Sequence, residues 1–400
     1  MVLRARSVQD IVGLLPAAKS TGLRRLFPAL KSQVYLDIAR CSPLPLPVLD
    51  ALTSHHSDAA AAGAPRSDWF ELAERTRAAV SRLLNAGPDE IAFTKNTSEG
   101  LIAAAWALPL APGDNVVALA EDHPNLRAAF AGLRARGVEL RLCDGGRGLP
   151  DAAAFAPALD ARTRAIAVSH VLSHDGRVAD LQSISGLCQA RGLHLVVDAV
   201  QSIGVLAFDV ARLRPSFVAF GCNKGLLTPP GLGVLYCRAD LELRSAHYAG
   251  TGLVDPRLAG RPGERMKPGA RRFETGIANY AGLAGLEAAL RLIDGVGRAA
   301  ITDHVLGLGA HLRASLRRAG LPAPIAPCGS HIHVLPVDGT FGERLAQRRV
   351  RVSQEEGGVR LSLALFSTPD DVDQAVGHLQ ALSVGRDAAL TPHTTPGGSR

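Results

Sequence analysis

From Ile91 onward the chain repeats one pattern, a short continuous apolar run followed by a stretch with apolar residues at helical spacing. The runs are 91–94, 115–119, 139–143, 165–170, 194–198, 217–220 and 233–236, and helical patterns follow Thr97, Pro124 and Leu181. A strand that is apolar at nearly every position has no solvent face, so it belongs in a sheet covered on both sides. Helices between successive strands make that sheet mostly parallel, which predicts an α/β fold with a large sheet-bearing domain. At 400 residues and 47% hydrophobic content, the chain is long enough for a second packed unit.

Past Arg271 the texture changes. Two helices are predicted at 280–293 and 300–318, strand-like runs at 331–337 and 359–364, and a last helix at 369–382. The reading is a smaller α+β domain. Upstream, residues 7–15 form a helical pattern, 34–36 a short strand, 42–47 a Pro-rich turn, and 68–84 a helix stopped by Gly87-Pro88. The organisation expected is an N-terminal arm at 1–33, a large domain at 34–278, a C-terminal α+β domain at 279–385, and a disordered tail at 386–400 rich in Thr, Pro, Gly and Ser.

Composition narrows the function. No stretch has about 20 uninterrupted apolar residues, and the first residues mix Arg4, Arg6 and Asp10 into the apolar ones, so a soluble cytoplasmic protein without membrane span or secretion signal is expected. Six scattered cysteines with no CxxC pair speak against a zinc site or a disulfide framework. The net charge of +7 comes from arginines interleaved with acids, and only 4% of residues are aromatic, so nucleic-acid binding is not expected. Two histidines, His331 and His333, share one face of a predicted strand, but no third metal ligand accompanies them.

Three segments carry chemistry. In LHLVVDAVQSIG, Asp198 ends a buried strand, where a carboxylate is costly unless it meets a ligand at the carboxyl edge of the sheet or caps the next helix. In FVAFGCNKGLLTPPGLG, Lys224 follows another buried strand; a desolvated lysine has a lowered pKa and can condense with a carbonyl, although a lysine snorkelling from a loop has the same local sequence. In FTKNTSEGL, Thr97 and Ser98 open a helix whose free N–H groups and hydroxyls suit a phosphate, or simply cap the helix.

Together these segments resemble the class V aminotransferase family of fold-type I pyridoxal-phosphate enzymes, from YLDIARCSPLP near residue 35 to RLSLALFSTPDDVD near 373. The resemblance implies a pyridoxal 5'-phosphate cofactor, an amino-acid substrate and a homodimer. It implies that Lys224 joins the cofactor covalently, Asp198 pairs with the ring nitrogen, Gln201 touches the ring hydroxyl, Thr97 and Ser98 hold the phosphate, and His123 of EDHPN stacks on the ring. Arg360 of VRLSLAL matches the arginine that grips the substrate carboxylate. In RFETGIANY, Ile277 stands where the family has a threonine whose hydroxyl reaches the neighbouring subunit's phosphate, so only its backbone N–H remains for that contact. Asn223 replaces a frequent His or Tyr before the lysine, and Ser173 of SHVLSHDG replaces the asparagine of desulfurases.

Desulfurases of this family also need a cysteine that accepts sulfur. The stretch 345–359 has none, and Cys328 is followed almost at once by the strand-like HIHVLPV. The sequence reading is therefore β-elimination from a cysteine-type substrate (a C–S lyase, with natural-product assembly as a setting), with epimerase or aminotransferase as the alternative and desulfurase behind both.

Overall fold

The computed structural model describes residues 22–387 apart from 64–65, 147, 242–248, 328 and 356. The predicted helix at 7–15, Cys328 and the tail beyond 387 lie outside the described residues.

Seven strands form the central sheet: β2 (Ile91–Thr94), β3 (Asn115–Leu119), β4 (Glu139–Cys143), β5 (Thr163–Ser169), β6 (His194–Asp198), β7 (Phe217–Gly221) and β8 (Gly233–Cys237). Their order is β2-β8-β7-β6-β5-β3-β4. Only β8 runs against its neighbours. Side chains alternate between two cores. Val117, Val168, Val197, Val218 and Phe220 face one, while Ala118, Ala167, Val196, Ala219 and Leu235 face the other. The unbroken apolar runs of the sequence are the signature of this double burial.

The second face is lined by small residues so that the helix Thr97–Ala107 can lie close to it. A Cβ added at Gly100 would sit 3.0 Å from that of Ala219. This approach brings the start of the helix to the carboxyl ends of β6 and β7, where a side chain at Gly221 would meet the Thr97 hydroxyl at 3.2 Å.

The C-terminal part contains helices Tyr280–Val296, Arg298–Arg318, Thr340–Gln347 and Pro369–Asp387 and the antiparallel sheet β11-β12-β9. Its strands are β9 (Ile332–Leu335), β11 (Ser353–Glu355) and β12 (Gly358–Ser362). The last helix runs to Asp387, so residues 386 and 387, read as tail, are helical. A helix at Leu46–Ala62 replaces the end of the expected Pro-rich turn, because Pro45 and Pro47 stand at its cap and first turn, where a missing N–H costs nothing. It packs on Tyr280–Val296, with Val48 and Leu52 against Gly285.

The start of the described chain joins this C-terminal part. Strand β1 (Val34–Tyr35) pairs in parallel with β10 (Val350–Arg351), and Asp37 bridges to Ser362. Arg24 holds both carboxylate oxygens of Asp371, at 2.5 and 3.1 Å, and Phe27 packs on Phe366 with ring centroids 4.6 Å apart.

At the carboxyl edge of the large sheet, the loops after β6 and β7 meet backbone to backbone. Gly204, at φ +86°, would carry its Cβ 2.4 Å from the Gly225 carbonyl oxygen, and a Cβ at Gly225 would lie 2.2 Å from that of Ile203. Neither neighbour is a flexible side-chain tip, so neither can yield cheaply. Gly225→Ala is expected to lower unfolding free energy by about 1–3 kcal/mol, the usual cost of overpacking. Gly186→Ala, on an exposed helical position with nothing within 4 Å, is expected to raise it by about 0.5–1 kcal/mol. Denaturant titration of the two variants checks both signs.

Candidate active site

Beyond the carboxyl ends of β5, β6 and β7 lies a cavity of about 260 Å³ whose walls include Asn96, Thr97, Ser98, His123, Asn125, Ser169, Ser173, Asp198, Gln201, Asn223 and Lys224. Six residues given a cofactor role from the sequence therefore converge on one space, Thr97, Ser98, His123, Asp198, Gln201 and Lys224, beside the two departures Ser173 and Asn223. Arg360 and Ile277 do not line it. Arg360 reaches its rim by donating to the Ser173 carbonyl at 2.8 Å, and Ile277 is 79% exposed on a separate loop.

Each wall has a local cause. Asn96 caps the helix Thr97–Ala107 by accepting from the Glu99 N–H, so the chain turns sharply and leaves the hydroxyls and N–H groups of Thr97 and Ser98 at the helix start. Those N–H groups have no carbonyl ahead of them and sit at the positive end of the helix dipole. His123 caps the next helix, Pro124–Ala131, with its Nδ1 accepting from the Asn125 N–H at 3.1 Å. The helix-entry role and the cavity role belong to the same ring. That bond leaves the proton of the neutral imidazole on Nε2, and burial, then the charge of Lys224, hold the ring below its usual pKa. Asn125 also donates to Ser98 Oγ at 2.9 Å, coupling the two helix starts.

Asp198 ends β6 between Ser169 of β5 and Ala219 of β7. Its Oδ1 accepts from the Val200 N–H at 2.9 Å, and no protein donor meets Oδ2 among the described residues. Burial pushes its carboxyl up to about 7, with a further push from the buried Asp122. Burial likewise brings Lys224 down to about 8, although the Asp198 charge opposes the change. Gln201 donates to the Ala39 carbonyl at 3.0 Å, and its own amide oxygen is buried without a partner.

Several contributors had no sequence signal. Asp122 is 1% exposed and accepts from the His123 N–H at 2.6 Å and from both the N–H and the hydroxyl of Ser169. It fixes the His123 backbone to β5. Residues 37–42 tie the site to the C-terminal sheet: Asp37 accepts from Ser353 Oγ, Ala39 takes the Gln201 amide, and Ser42 N–H donates to the Asn223 carbonyl. The acids in EDHPN and YLDIARCS were visible as residues, but their partners lie up to hundreds of positions away.

The groups present fit pyridoxal phosphate. A carboxyl with a free oxygen suits a ring nitrogen, an amide with an unpartnered atom suits a ring hydroxyl, a helix start suits a phosphate, and a half-buried lysine of lowered pKa suits an aldehyde. The α/β layers and this set of groups define a pyridoxal-phosphate enzyme of fold-type I.

More narrowly, the chain belongs to the class V aminotransferase family, which residues 34–326 match. It is 33% identical over 371 residues to an uncharacterised protein of Schizosaccharomyces pombe, covering 89% of this chain and 86% of that one. It is also 33% identical over 307 residues to a probable cysteine desulfurase of Methanothermobacter thermautotrophicus, covering 74% and 76%. Among solved structures, a cystine C–S lyase in complex with its product cysteine persulfide superposes with a TM-score of 0.81 at 24% identity, over 88% of this chain and 99% of that one.

The two displaced pKa values give the cofactor-free protein a defined pH response. Asp198 keeps its proton up to about pH 7 when folded, against 3.8 for the ordinary carboxyl, so its own contribution to stability falls as pH rises through that window, while the buried His170, His331 and His333, with lowered pKa values, contribute in the opposite sense. Lys224 stays neutral down to about pH 8, against 10.5, so its own contribution to stability rises between those values. Denaturant unfolding across pH is expected to show Asp198→Asn gaining stability relative to the parent as pH rises from 3.8 to about 7, and Lys224→Met losing stability relative to it between about 8 and 10.5. Parallel pH profiles for parent and variants would contradict the assigned directions.

Proposed function

We propose that the chain cleaves a C–S bond by β-elimination at the α- and β-carbons of a cysteine-type amino acid, acting as a cytoplasmic homodimer. The observation that carries this reading is a half-buried lysine of lowered pKa sharing with a buried acid of raised pKa a cavity that no cysteine lines among the described residues. When bound, the cofactor supplies an electron sink that stabilises negative charge at the substrate α-carbon.

The chain's own groups do the rest. Asp198 Oδ2 would hold the ring-nitrogen proton, Gln201 would bond the ring hydroxyl, and His123 would stack on the ring. Thr97, Ser98 and the helix N–H groups take the phosphate. Lys224 Nζ, with its pKa near 8, removes the α-proton and can return it, since a base works best with a pKa close to the working pH. Arg360 binds the α-carboxylate. The exposed side chains of Leu49, Phe70, Ile102 and Ile277 support burial against a second copy.

Elimination is favoured over desulfurase chemistry by the thiols. Cys222, two residues before Lys224, is fully buried, and burial pushes its thiol far up, so it stays protonated and unreactive. Residues 345–359 contain no cysteine. Two positions after Cys328, Ser330 is buried and its hydroxyl donates to the Gly176 carbonyl at 2.7 Å, and strand β9 begins at Ile332.

Purified enzyme is expected to release sulfide from L-cysteine, cysteine persulfide from cystine and the free thiol from S-conjugates of cysteine, each together with pyruvate and ammonia. Cys328→Ser is expected to retain most of that activity. Alanine as the product, with activity lost in Cys328→Ser, would establish a desulfurase instead, and an inverted α-carbon without thiol release an epimerase. Borohydride treatment is expected to fix the cofactor to the peptide bearing Lys224, and label on Lys95 or Lys267 would refute that assignment. Arg360→Ala is expected to raise KM by roughly 10- to 100-fold, the worth of a charge-assisted pair.

A further inference from the structure

The guanidinium of Arg360 is already held by a carboxylate. Its Nη1 lies 2.7 Å from Glu355 Oε1 and also donates to the Ser173 carbonyl at 2.8 Å. Its Nη2 donates to Ser353 Oγ at 3.2 Å and stands 4.0 Å from Asp37 Oδ1. Its Nε is buried without an acceptor. These partners are of two kinds. Asp37 is fully buried, bonded to Ser353 and approached by Arg351 at 3.5 Å, so it cannot leave. Glu355 keeps 26% of its side chain in solvent and occupies the last pair of the β11–β12 hairpin, opposite Gly358. Rotating its carboxylate into water breaks no strand pairing and no other hydrogen bond found among the described residues.

We propose that Glu355 is a built-in rival of the substrate carboxylate, so that an amino acid binds at Arg360 only by displacing it. This inference rests on Arg360 as the carboxylate-binding residue. Asp37, Ser353 and the Ser173 carbonyl aim the guanidinium, and Glu355 keeps it neutralised until an acid of matching geometry arrives. Two carboxylates cannot share one fork without mutual repulsion, so every weakly held acid meets the same competition. Glu355 thereby raises the threshold for capture and selects for substrates with additional contacts in the cavity.

The probe is 3-mercaptopropionate, which has the carboxylate and thiol of cysteine but no α-amino group to react with the cofactor. Its binding to the holoenzyme is measured by calorimetry for the parent, Glu355→Gln, Glu355→Ala and Arg360→Ala. Both Glu355 variants are expected to bind it roughly three- to tenfold more tightly, as suits removal of a partly exposed ionic competitor. They are also expected to lower KM for L-cysteine. In the Arg360→Ala background, Glu355→Ala is expected to have no effect. Should Arg360→Ala weaken binding while both Glu355 variants bind equally or more weakly than the parent, Glu355 is a structural brace and the proposal fails alone. Unchanged binding in Arg360→Ala would remove the carboxylate role of Arg360 and this inference with it. If Glu355→Ala does not fold, Glu355→Gln decides between these results.

Discussion

An acid and a lysine, each displaced from its ordinary pKa, are held at the ends of adjoining parallel strands, and much of the fold serves that placement. Asp198 ends β6 and is buried, and Lys224, half-buried, follows β7, both beside strands buried on both faces. Burying one of them alone would be costly, and burying both leaves each displaced from its ordinary pKa. The sheet supplies the low-dielectric walls. The glycine contact between the loops after β6 and β7 fixes the separation of the two groups. The close seating of Thr97–Ala107 adds the positive end of a helix to the same space.

The architecture was legible because double burial writes an unmistakable pattern. All seven strands of the large sheet were predicted within two residues of their ends, and so were the starts of the helices that follow Thr97, Pro124 and Leu181. What escaped was short or oddly capped. The helix Leu46–Ala62 begins among prolines and buries only Val48 fully, so it has no apolar stripe to count. Strands β10 and β11 are two and three residues long, below the length at which a period can be read. The segment at 34–36 reads as an ordinary strand leading into the large domain, yet its pairing is with β10, more than 300 residues later, which no local pattern encodes.

The site divides in the same way. Residues that touch the cavity sit in motifs with fixed order, so Thr97, His123, Asp198, Gln201 and Lys224 could be placed from sequence. Residues that act on those groups could not. Asp122 looks like any acid before a helix, and Glu355 like a polar hairpin residue; only the structure puts the first on the His123 backbone and the second on Arg360. Arg360 shows the limit most plainly, since its motif foretold a guanidinium at the rim but not the two acids beside it.

The clamp between the two ends of the chain has a bearing on biosynthesis. Arg24 and Asp371 are 347 positions apart, and Phe27 meets Phe366 at a similar remove. A ribosome delivers residues 22–38 more than 300 residues before partners such as Phe366 and Asp371, so that segment must wait with Leu23, Phe27, Leu36 and Ile38 uncovered. The large sheet, whose contacts are closer in sequence, can assemble meanwhile. Closure of that long loop is then the final act, and it is also the act that seats residues 37–42 between Arg360 and Lys224. Residues 37–42 thus reach their places only once the helix Pro369–Asp387 has been made.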